Sequence, residues 1–168
     1  QAMADLYQAA DEALADGVNV LILSDRGIDR VHAPIPALLA VSGLHHHLIR
    51  ERTRTQVSLI VETGEAREVH HFATLIGYGV TAINPYLAFE TVQEILDDGS
   101  FVPADLDYAT AEENYLNSID LGLLKIFAKM GISTLRSYRG AQIYEAVGIG
   151  KEVVDFAFAG THSRVAGV

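Results

Sequence analysis

The sequence predicts an α/β fold in which parallel strands alternate with helices, as an open sheet or as part of a (β/α) barrel. Two observations indicate this fold. Short apolar runs of strand length alternate along the chain with longer segments of helical periodicity. The runs are apolar at consecutive positions, which is typical of a parallel sheet covered on both faces. The four predicted strands are too few to close a barrel of eight.

The amino-terminal part gives three of the four strand predictions. A helix over Ala2–Asp16 is stopped by Gly17 in the C-cap position, and the apolar run Val18–Leu23 follows as the first strand. Two prolines then open a helix over Ile35–Glu51, because proline is tolerated in a first turn. The other elements predicted in this part are a strand over Gln56–Val61, a helix over Arg67–Tyr78, a strand over Val80–Ile83 and a helix over Ala88–Leu96.

The remainder of the chain begins with a segment that lacks periodicity. Residues 100–111 contain Pro103 and acidic side chains, and we interpret them as a solvated linker and internal boundary. The elements predicted after it are a helix over Glu112–Met130, a strand over Ile132–Leu135 and a helix over Ala141–Val147. Lys151–Ala159 could be helical or irregular, and Val165–Val168 would be a tail.

Composition excludes several classes of protein. The chain has 168 residues, a formal net charge of −10 and no cysteine. Disulfides, thiolate nucleophiles and cysteine-ligated clusters are therefore excluded on this chain, and the acidic balance argues against nucleic-acid binding. No apolar run approaches the roughly 18–20 residues of a membrane span, and no signal pattern opens the chain. We expect a cytoplasmic protein, and a fragment, since Gln1 already lies in a helical pattern.

Basic residues are concentrated in one block of this acidic chain. Lys125, Lys129, Arg136 and Arg139 lie within residues 121–144, which contain no acidic residue. Such a block could bind a phosphate or a dicarboxylate. The alternative is that lysines in the last turn of a helix interact with the helix dipole.

Polar side chains follow the predicted strands at the points where the strands end. They are Ser24, Asp25 and Arg26, then Glu62 and Thr63, then Asn84, and finally Arg136, Ser137, Tyr138 and Arg139. Ligands of parallel α/β folds bind at this edge of the sheet. Two alternatives stay open, since loops are polar in general and Asp25 and Arg26 could be a pair that holds the first loop.

The histidines do not predict a metal site. His45, His46 and His47 are consecutive in a predicted helix, so their side chains point about 100° apart. His70 and His71 are also adjacent, and no H-E-x-x-H motif is present.

Long blocks of the sequence carry a resemblance to a known family. They include LILSDRG at residues 21–27, HAPIPALLAVSGLHHHLIRERTRTQ and the sequence after it within residues 32–90, and LLKIFAKMGISTLRSYRGAQIYEAVGIGK within residues 123–167. These blocks closely resemble the large subunit of glutamate synthase. The resemblance implies a parent enzyme that transfers glutamine-derived ammonia to 2-oxoglutarate and reduces the product to glutamate.

The resemblance also implies a domain arrangement and cofactors. Residues 1–99 would be the later part of the central domain, residues 100–111 a linker, and residues 112–168 the start of an FMN-binding synthase barrel. FMN and an iron–sulfur cluster are implied for the parent, with none bound by the fragment. The partners implied are the rest of the large subunit and a small electron-donor subunit or ferredoxin. The residues that the resemblance places in the wall of the parent's substrate and FMN site are Lys125, Lys129, Ser133, Ser137, Arg139 and Gln142.

Three functional hypotheses follow. The first is a non-catalytic fragment that scaffolds the active sites and the ammonia route of glutamate synthase. The second is a self-contained α/β enzyme that uses Asp25, Glu62 and Arg139 on a small anionic substrate, or a module that binds such a ligand. The third is an interaction module, and because a truncated sheet exposes apolar surface we expect the chain to self-associate.

Overall fold

The computed structural model describes residues 1–99, 103, 105–165 and 167 as alternating helices and strands. The helices in this part are α1 Ala2–Ala15, α2 Ala37–Arg50, α3 Val69–Gly77, α4 Tyr86–Asp98, α5 Tyr108–Met130, α6 Leu135–Tyr138 and α7 Lys151–Ala157, with a 3-10 turn at Arg54–Gln56. The strands are β1 Val20–Ser24, β2 Ser58–Glu62, β3 Ala82–Asn84, β4 Glu145–Val147 and β5 His162–Val165. None of the described helices is long and apolar enough to cross a membrane.

The first three strands form a parallel sheet in the order β1-β2-β3. In its register Ile22 lies opposite Ile60, and Ser24 lies opposite Glu62, which in turn lies opposite Asn84. A helix follows each strand, as parallel pairing requires. The predicted α/β class with parallel strands is therefore confirmed, and so are the three amino-terminal strands, each of which starts two residues later and ends one residue later than predicted.

Helices α2 and α3 bury one face of this sheet. Val41, Leu44 and Leu48 of α2 are fully buried, as is Leu59 of β2. Burial of each such side chain contributes about 1.5–3 kcal/mol, so this layer stabilises the fold substantially. Helix α1 extends the layer, since Tyr7 packs in the same cluster as Leu44.

The opposite face of the sheet is not covered by the described residues. On edge strand β1, Val20 is 43% exposed and Ile22 is 62% exposed, although both are apolar. The prediction of a sheet covered on both faces is therefore wrong for this part of the molecule. The continuous apolar pattern that suggested it describes a sheet with one face packed and one face open.

Helix α5 packs against α3 and belongs to the same core. Ile119 and Leu123 are buried in the cluster that contains Phe72 of α3. The carboxylate of Asp107 caps the helix by accepting a hydrogen bond from the backbone N–H of Thr110 at 2.8 Å. The helix thus begins inside the predicted linker, whose residues 100–102 and 104 lie outside the described part.

Two elements predicted after α5 are wrong. Residues 132–134 form no strand, because the Thr134 side chain accepts from the N–H of Ser137 and starts the short helix α6. The helix predicted over Ala141–Val147 is absent, since Gln142 has a φ of 55° and Glu145–Val147 form strand β4. Strand β4 pairs in parallel with β5, which covers part of the predicted tail. The helical alternative for Lys151–Ala159 is the correct one, as α7.

The carboxyl-terminal unit is attached to α2 and α3 by buried polar contacts. Ser42 of α2 is fully buried and donates its hydroxyl hydrogen to the carbonyl oxygen of Ala157. Tyr138 is also fully buried, and its hydroxyl donates to the carbonyl oxygen of Ala73 at 3.1 Å. These bonds satisfy buried polar groups and fix α6 and α7 on the helix layer.

We predict that Gly122→Ala destabilises the fold, because a Cβ at this position of α5 would lie 2.4 Å from Cγ2 of Val69. Overpacking of this kind costs about 1–3 kcal/mol, which outweighs the gain of about 1 kcal/mol that alanine has over glycine in a helix. Urea unfolding followed by circular dichroism measures the change. In the double variant with Val69→Ala the two effects should be coupled by about 1 kcal/mol, and strict additivity would contradict the close contact.

Candidate functional site at the carboxyl ends of the strands

The parallel register places three polar side chains in one row at the carboxyl end of the sheet. Glu62 lies in the middle, between Ser24 of β1 and Asn84 of β3. Its carboxylate accepts hydrogen bonds from Oγ of Ser24 at 2.6 Å, from Nε of Arg26 at 2.7 Å and from Nδ2 of Asn84 at 3.3 Å. The structure thus brings together Ser24, Arg26, Glu62 and Asn84.

Arg26 is neutralised by two carboxylates. Besides Glu62, its Nη1 donates to Oε1 of Glu90 at 3.1 Å. Its guanidinium carbon also lies 3.9 Å from the centroid of the Tyr86 ring, a cation–π distance. The hydrogen bond to Glu62 is the main cause that raises the pKa of Arg26 above its ordinary value. An anionic ligand would have to displace these partners to reach this arginine.

Asp25 holds the loop after β2 through other contacts. Its carboxylate accepts from Oγ1 of Thr63 at 2.6 Å and from the backbone N–H of Gly64 at 3.1 Å. Thr63 is fully buried, so this bond satisfies a buried hydroxyl. Asp25 and Arg26 hold the first loop through different partners, and they do not pair with each other.

The protonation state of Glu62 follows from its neighbours. The pKa of Glu62 is lowered below its ordinary value of 4.5, mainly by the hydrogen bond from Ser24 and next by the hydrogen bond from Arg26. A carboxylate with a lowered pKa and three donors already in place is a weak general base near neutral pH. These four hydrogen-bonded side chains, Ser24, Arg26, Glu62 and Asn84, therefore form a clasp between the three strands, in which the Ser24 hydroxyl donates to a carboxylate that Arg26 and Asn84 also bind.

A cavity of about 380 Å³ lies beside this clasp. Apolar side chains form most of its wall, including Leu6, Ile22 and Pro34, and Asp25 and Thr63 are on its polar side. The polar groups are already hydrogen-bonded to each other, so they offer a small ligand few free partners.

The candidate residues of the carboxyl-terminal part lie elsewhere. Lys125 and Lys129 are exposed on α5, Ser133 is exposed in the loop before α6, and Arg139 is half-buried. Ser137 bonds to Oγ1 of Thr134. Across the described ranges no side-chain hydrogen bond joins any two of the six predicted residues, which also include Gln142, and none of the six lines the 380 Å³ cavity.

The histidines have partners other than a metal. His47 bonds to Asp11 at 2.9 Å, and Nδ1 of His45 accepts from Nε of Arg54 at 2.8 Å. His71 takes part in a capping box with Glu68 at the start of α3. Among residues 1–99, 103, 105–165 and 167, no group of three His, Asp or Glu side chains could hold a metal ion.

Two partners in the clasp were not predicted from the sequence. Tyr86 and Glu90 lie in α4 directly after the third strand, and both contact Arg26. Their spacing of four residues places them on one helix face and is the signal that could have indicated a shared contact.

Comparison with known proteins identifies a family match over most of the chain. Residues 1–150 match the family model described as glutamate synthase central domain. The NADPH glutamate synthase large chain of Bacillus subtilis is 54% identical over 164 residues, covering 98% of this chain and 11% of that protein. The NADH glutamate synthase of Saccharomyces cerevisiae is 49% identical, covering 97% of this chain and 8% of its own length.

A third relative is named for a different electron donor. The ferredoxin-dependent glutamate synthase of Pyropia yezoensis is 46% identical, covering 100% of this chain and 12% of that protein. This chain therefore spans about a tenth of the length of the curated relatives it matches.

A solved structure supports the fold alone. The DHODH of Eimeria tenella in complex with ferulenol superposes with a TM-score of 0.55 at 18% identity, covering 84% of this chain and 35% of that one. Its fold is barrel-like, which agrees with the predicted portion of a (β/α) barrel.

We predict that Glu62→Gln changes how stability depends on pH. Because the pKa of Glu62 is lowered in the folded state, its ionised form adds stability above the ordinary value of 4.5, and this stability is lost as pH falls through the folded-state pKa. The variant should be less stable than the wild type at neutral pH, and the difference in stability should shrink as the pH falls below the ordinary value of 4.5. Glu94→Gln, at an exposed position of α4 outside the clasp, is the matched control for the loss of one carboxylate. A constant difference at all pH values would contradict the ionised clasp.

Proposed function

This chain belongs to the glutamate synthase family as a piece of its central domain, and from that premise we propose that it is a scaffolding segment with no catalytic centre of its own. The parent enzyme would transfer glutamine-derived ammonia to 2-oxoglutarate and reduce the product to glutamate, which makes it an oxidoreductase. The segment would hold the active sites of the parent in place and flank the route of ammonia between them.

The observation that carries this proposal is that the polar side chains of the clasp, and the neighbouring Asp25, are already hydrogen-bonded within the chain. Glu62 accepts three hydrogen bonds, Asp25 is bonded to Thr63 and Gly64, and Arg26 is paired with two carboxylates. Catalytic groups need free lone pairs or protons directed at a substrate. Side chains that are bonded to each other instead join three strands, which is a structural role. The neighbouring cavity of about 380 Å³ is the observation that favours the alternative, a module that binds a small ligand.

The cofactors of the parent belong, in this proposal, to other parts of the polypeptide. An iron–sulfur cluster does not fit here, because the chain has no cysteine to ligate it. For FMN, the exposed Lys125 and Lys129 would contribute to a phosphate site only together with groups from outside this chain. We propose that the fragment binds neither cofactor.

We also propose that other parts of the polypeptide determine which electron donor the parent enzyme uses. Relatives named for NADPH, NADH and ferredoxin match this chain at 54%, 49% and 46% identity, each over at least 97% of it. A segment that is similar in all three groups is a poor candidate for the surface that distinguishes a small electron-donor subunit from ferredoxin. The partner of this segment is the rest of the large subunit.

The division at residues 100–111 stays a prediction. The family match continues through this segment to residue 150, and α5 shares its core with α3. Self-association likewise stays a prediction, supported by the exposed Val20 and Ile22 on the open face of the sheet. In the parent, the same face would be covered by adjoining polypeptide.

We predict that the purified 168-residue chain neither binds FMN nor forms glutamate. Flavin fluorescence titration measures the first, and assays with 2-oxoglutarate, a reductant and either glutamine or ammonia measure the second. The Bacillus subtilis large chain, assayed with its reductant, is the positive control. Sustained turnover by the chain alone would refute the scaffolding proposal.

We predict that, in a complete enzyme, the clasp helps to couple the release of ammonia from glutamine to the formation of glutamate. In a chimera of the Bacillus subtilis large chain that carries this chain in place of its 164 matched residues, Arg26→Ala should lower glutamine-dependent synthesis more than ammonia-dependent synthesis. The ratio of the glutamine-dependent rate to the ammonia-dependent rate should fall about threefold or more, because a small displacement caused by a mutation far from the reacting atoms can lower a rate by up to about 100-fold.

The matched control for this chimera is Arg164→Ala, which breaks the exposed ion pair with Glu145. It should leave the ratio of the two rates unchanged. Equal ratios in the Arg26 and Arg164 variants would contradict a scaffolding role for the clasp.

A further inference from the structure

The loop after β1 carries a histidine that is bonded to an aspartate. Oδ1 of Asp29 accepts hydrogen bonds from the backbone N–H groups of Val31 and His32, each at 2.8 Å. The same oxygen lies 2.9 Å from Nδ1 of the His32 ring. The backbone N–H of Asp29 in turn donates to the carbonyl oxygen of His32 at 3.2 Å. One aspartate thus fixes both this turn of the loop and the ring of His32.

Asp29 also determines which nitrogen of His32 is free. The backbone N–H of Val31, and next the ring of His32, lowers the pKa of Asp29 below its ordinary value, so near neutral pH its carboxylate is ionised and only accepts hydrogen bonds. Nδ1 of His32 therefore carries the proton that is donated to Asp29, and Nε2 of the neutral ring is an acceptor. Within the described ranges, no hydrogen bond to Nε2 accompanies the one at Nδ1.

His32 connects this turn to the cavity of about 380 Å³ beside the clasp. The histidine is part of the cavity wall, whereas Asp29 is not. Since Nδ1 is committed to Asp29, Nε2 is the ring nitrogen that remains for a group inside the cavity. The His32 side chain is 72% exposed, so it lies at the mouth of the cavity. The volume is within the range of sites that hold small molecules.

The other polar side chains of the cavity wall are bonded within the chain. The hydroxyl of Ser24 donates to Glu62, and the hydroxyl of Thr63 donates to Asp25. Among the described residues no lysine or arginine lines the cavity, so its wall suits an uncharged molecule better than an anion. His32 is therefore the side chain of this wall that offers a ligand an acceptor not yet engaged in a hydrogen bond.

The rest of the cavity wall is apolar and in part exposed to water. Ile22 is 62% exposed, and Ile28 is 48% exposed. Leu6, Pro34 and Ile35 also line the cavity. The hydrophobic effect favours covering such side chains with an apolar molecule. An apolar wall with one well-placed polar group is the usual composition of a small-molecule site.

We propose that this cavity binds an uncharged, largely apolar molecule whose hydroxyl or N–H group donates a hydrogen bond to Nε2 of His32. Asp29 is a positioning residue, which orients the ring and keeps Nε2 an acceptor. The proposal does not depend on the scaffolding role, because a segment that holds active sites in place can also carry a ligand site.

Two probes of similar shape separate the hydrogen bond from the apolar contact. Indole has an N–H donor, and benzofuran has an oxygen in its place. In titrations of the 168-residue chain, followed by the backbone amide NMR signals of residues 22–35, indole should bind saturably and about threefold to tenfold more tightly than benzofuran. One hydrogen bond between neutral groups accounts for a difference of that size. His32→Phe should bind the two probes equally.

His162→Phe is the matched control, since His162 is exposed on β5 and does not line the cavity. It should keep the preference for indole. Ile28→Ser should weaken both probes by similar factors, because it removes apolar wall without touching the acceptor, and circular dichroism establishes that each variant is folded. Absence of saturable indole binding, or an undiminished preference for indole in His32→Phe, would overturn the proposal.

The role of Asp29 is tested by the tautomer of the His32 ring. The ¹⁵N chemical shifts of the ring show which nitrogen carries the proton. Asp29→Ala should increase the share of the tautomer with the proton on Nε2 and reduce the preference for indole. A side chain that only stabilised the loop would change neither in a folded variant. An unchanged tautomer would overturn the positioning role.

The Bacillus subtilis chimera shows whether the cavity is open to a ligand in a complete enzyme. Indole should bind there with its preference over benzofuran retained, and His32→Phe should abolish that preference. Absence of indole binding in the chimera would mean that adjoining polypeptide covers the cavity, and would overturn the proposal. None of these measurements depends on glutamate formation, so the outcome is separate from that of the scaffolding proposal.

Discussion

The parallel register of the three-stranded sheet is the constraint on which the rest of the molecule depends. It places Ser24, Glu62 and Asn84 side by side at the carboxyl end of the sheet, and the hydrogen bonds that Glu62 accepts from Ser24 and Asn84 follow from that row. The helix that must return the chain after each parallel strand also determines the core, because α2 and α3 are buried against the same sheet face. One pairing pattern thus produces both the apolar layer and the polar edge.

The sequence predicted those helices and strands whose local pattern agrees with the way they pack in the fold. The strands around Leu21, Leu59 and Ile83 were predictable because each is a short apolar run between helical segments. The pattern failed after Gly131, where the capping bond of Thr134 and the positive φ of Gln142 replaced the predicted strand and helix. Apolar continuity also could not show that Ile22 faces away from the core, since periodicity does not reveal which sheet face is covered.

The same distinction applies to the sites. Asp25, Arg26, Glu62 and Asn84 could be placed at one edge because parallel strands end together. The sequence could not show that these side chains already have partners within the chain, because two of those partners, Tyr86 and Glu90, lie in α4. Likewise, Arg139 was recognised as a basic residue in an acidic chain, but the sequence could not show that its Nε is buried without a hydrogen-bond partner among the described residues.

The open face of the sheet has a thermodynamic consequence for the isolated chain. Val20 and Ile22 remain in water in the folded state, so unfolding exposes less new apolar surface than it would for a sheet covered on both sides. Since the heat-capacity change of unfolding scales with the apolar area exposed, the stability curve of this chain against temperature is comparatively flat. Covering that face with adjoining polypeptide would steepen the curve and make the segment's unfolding cooperative with that of its neighbours.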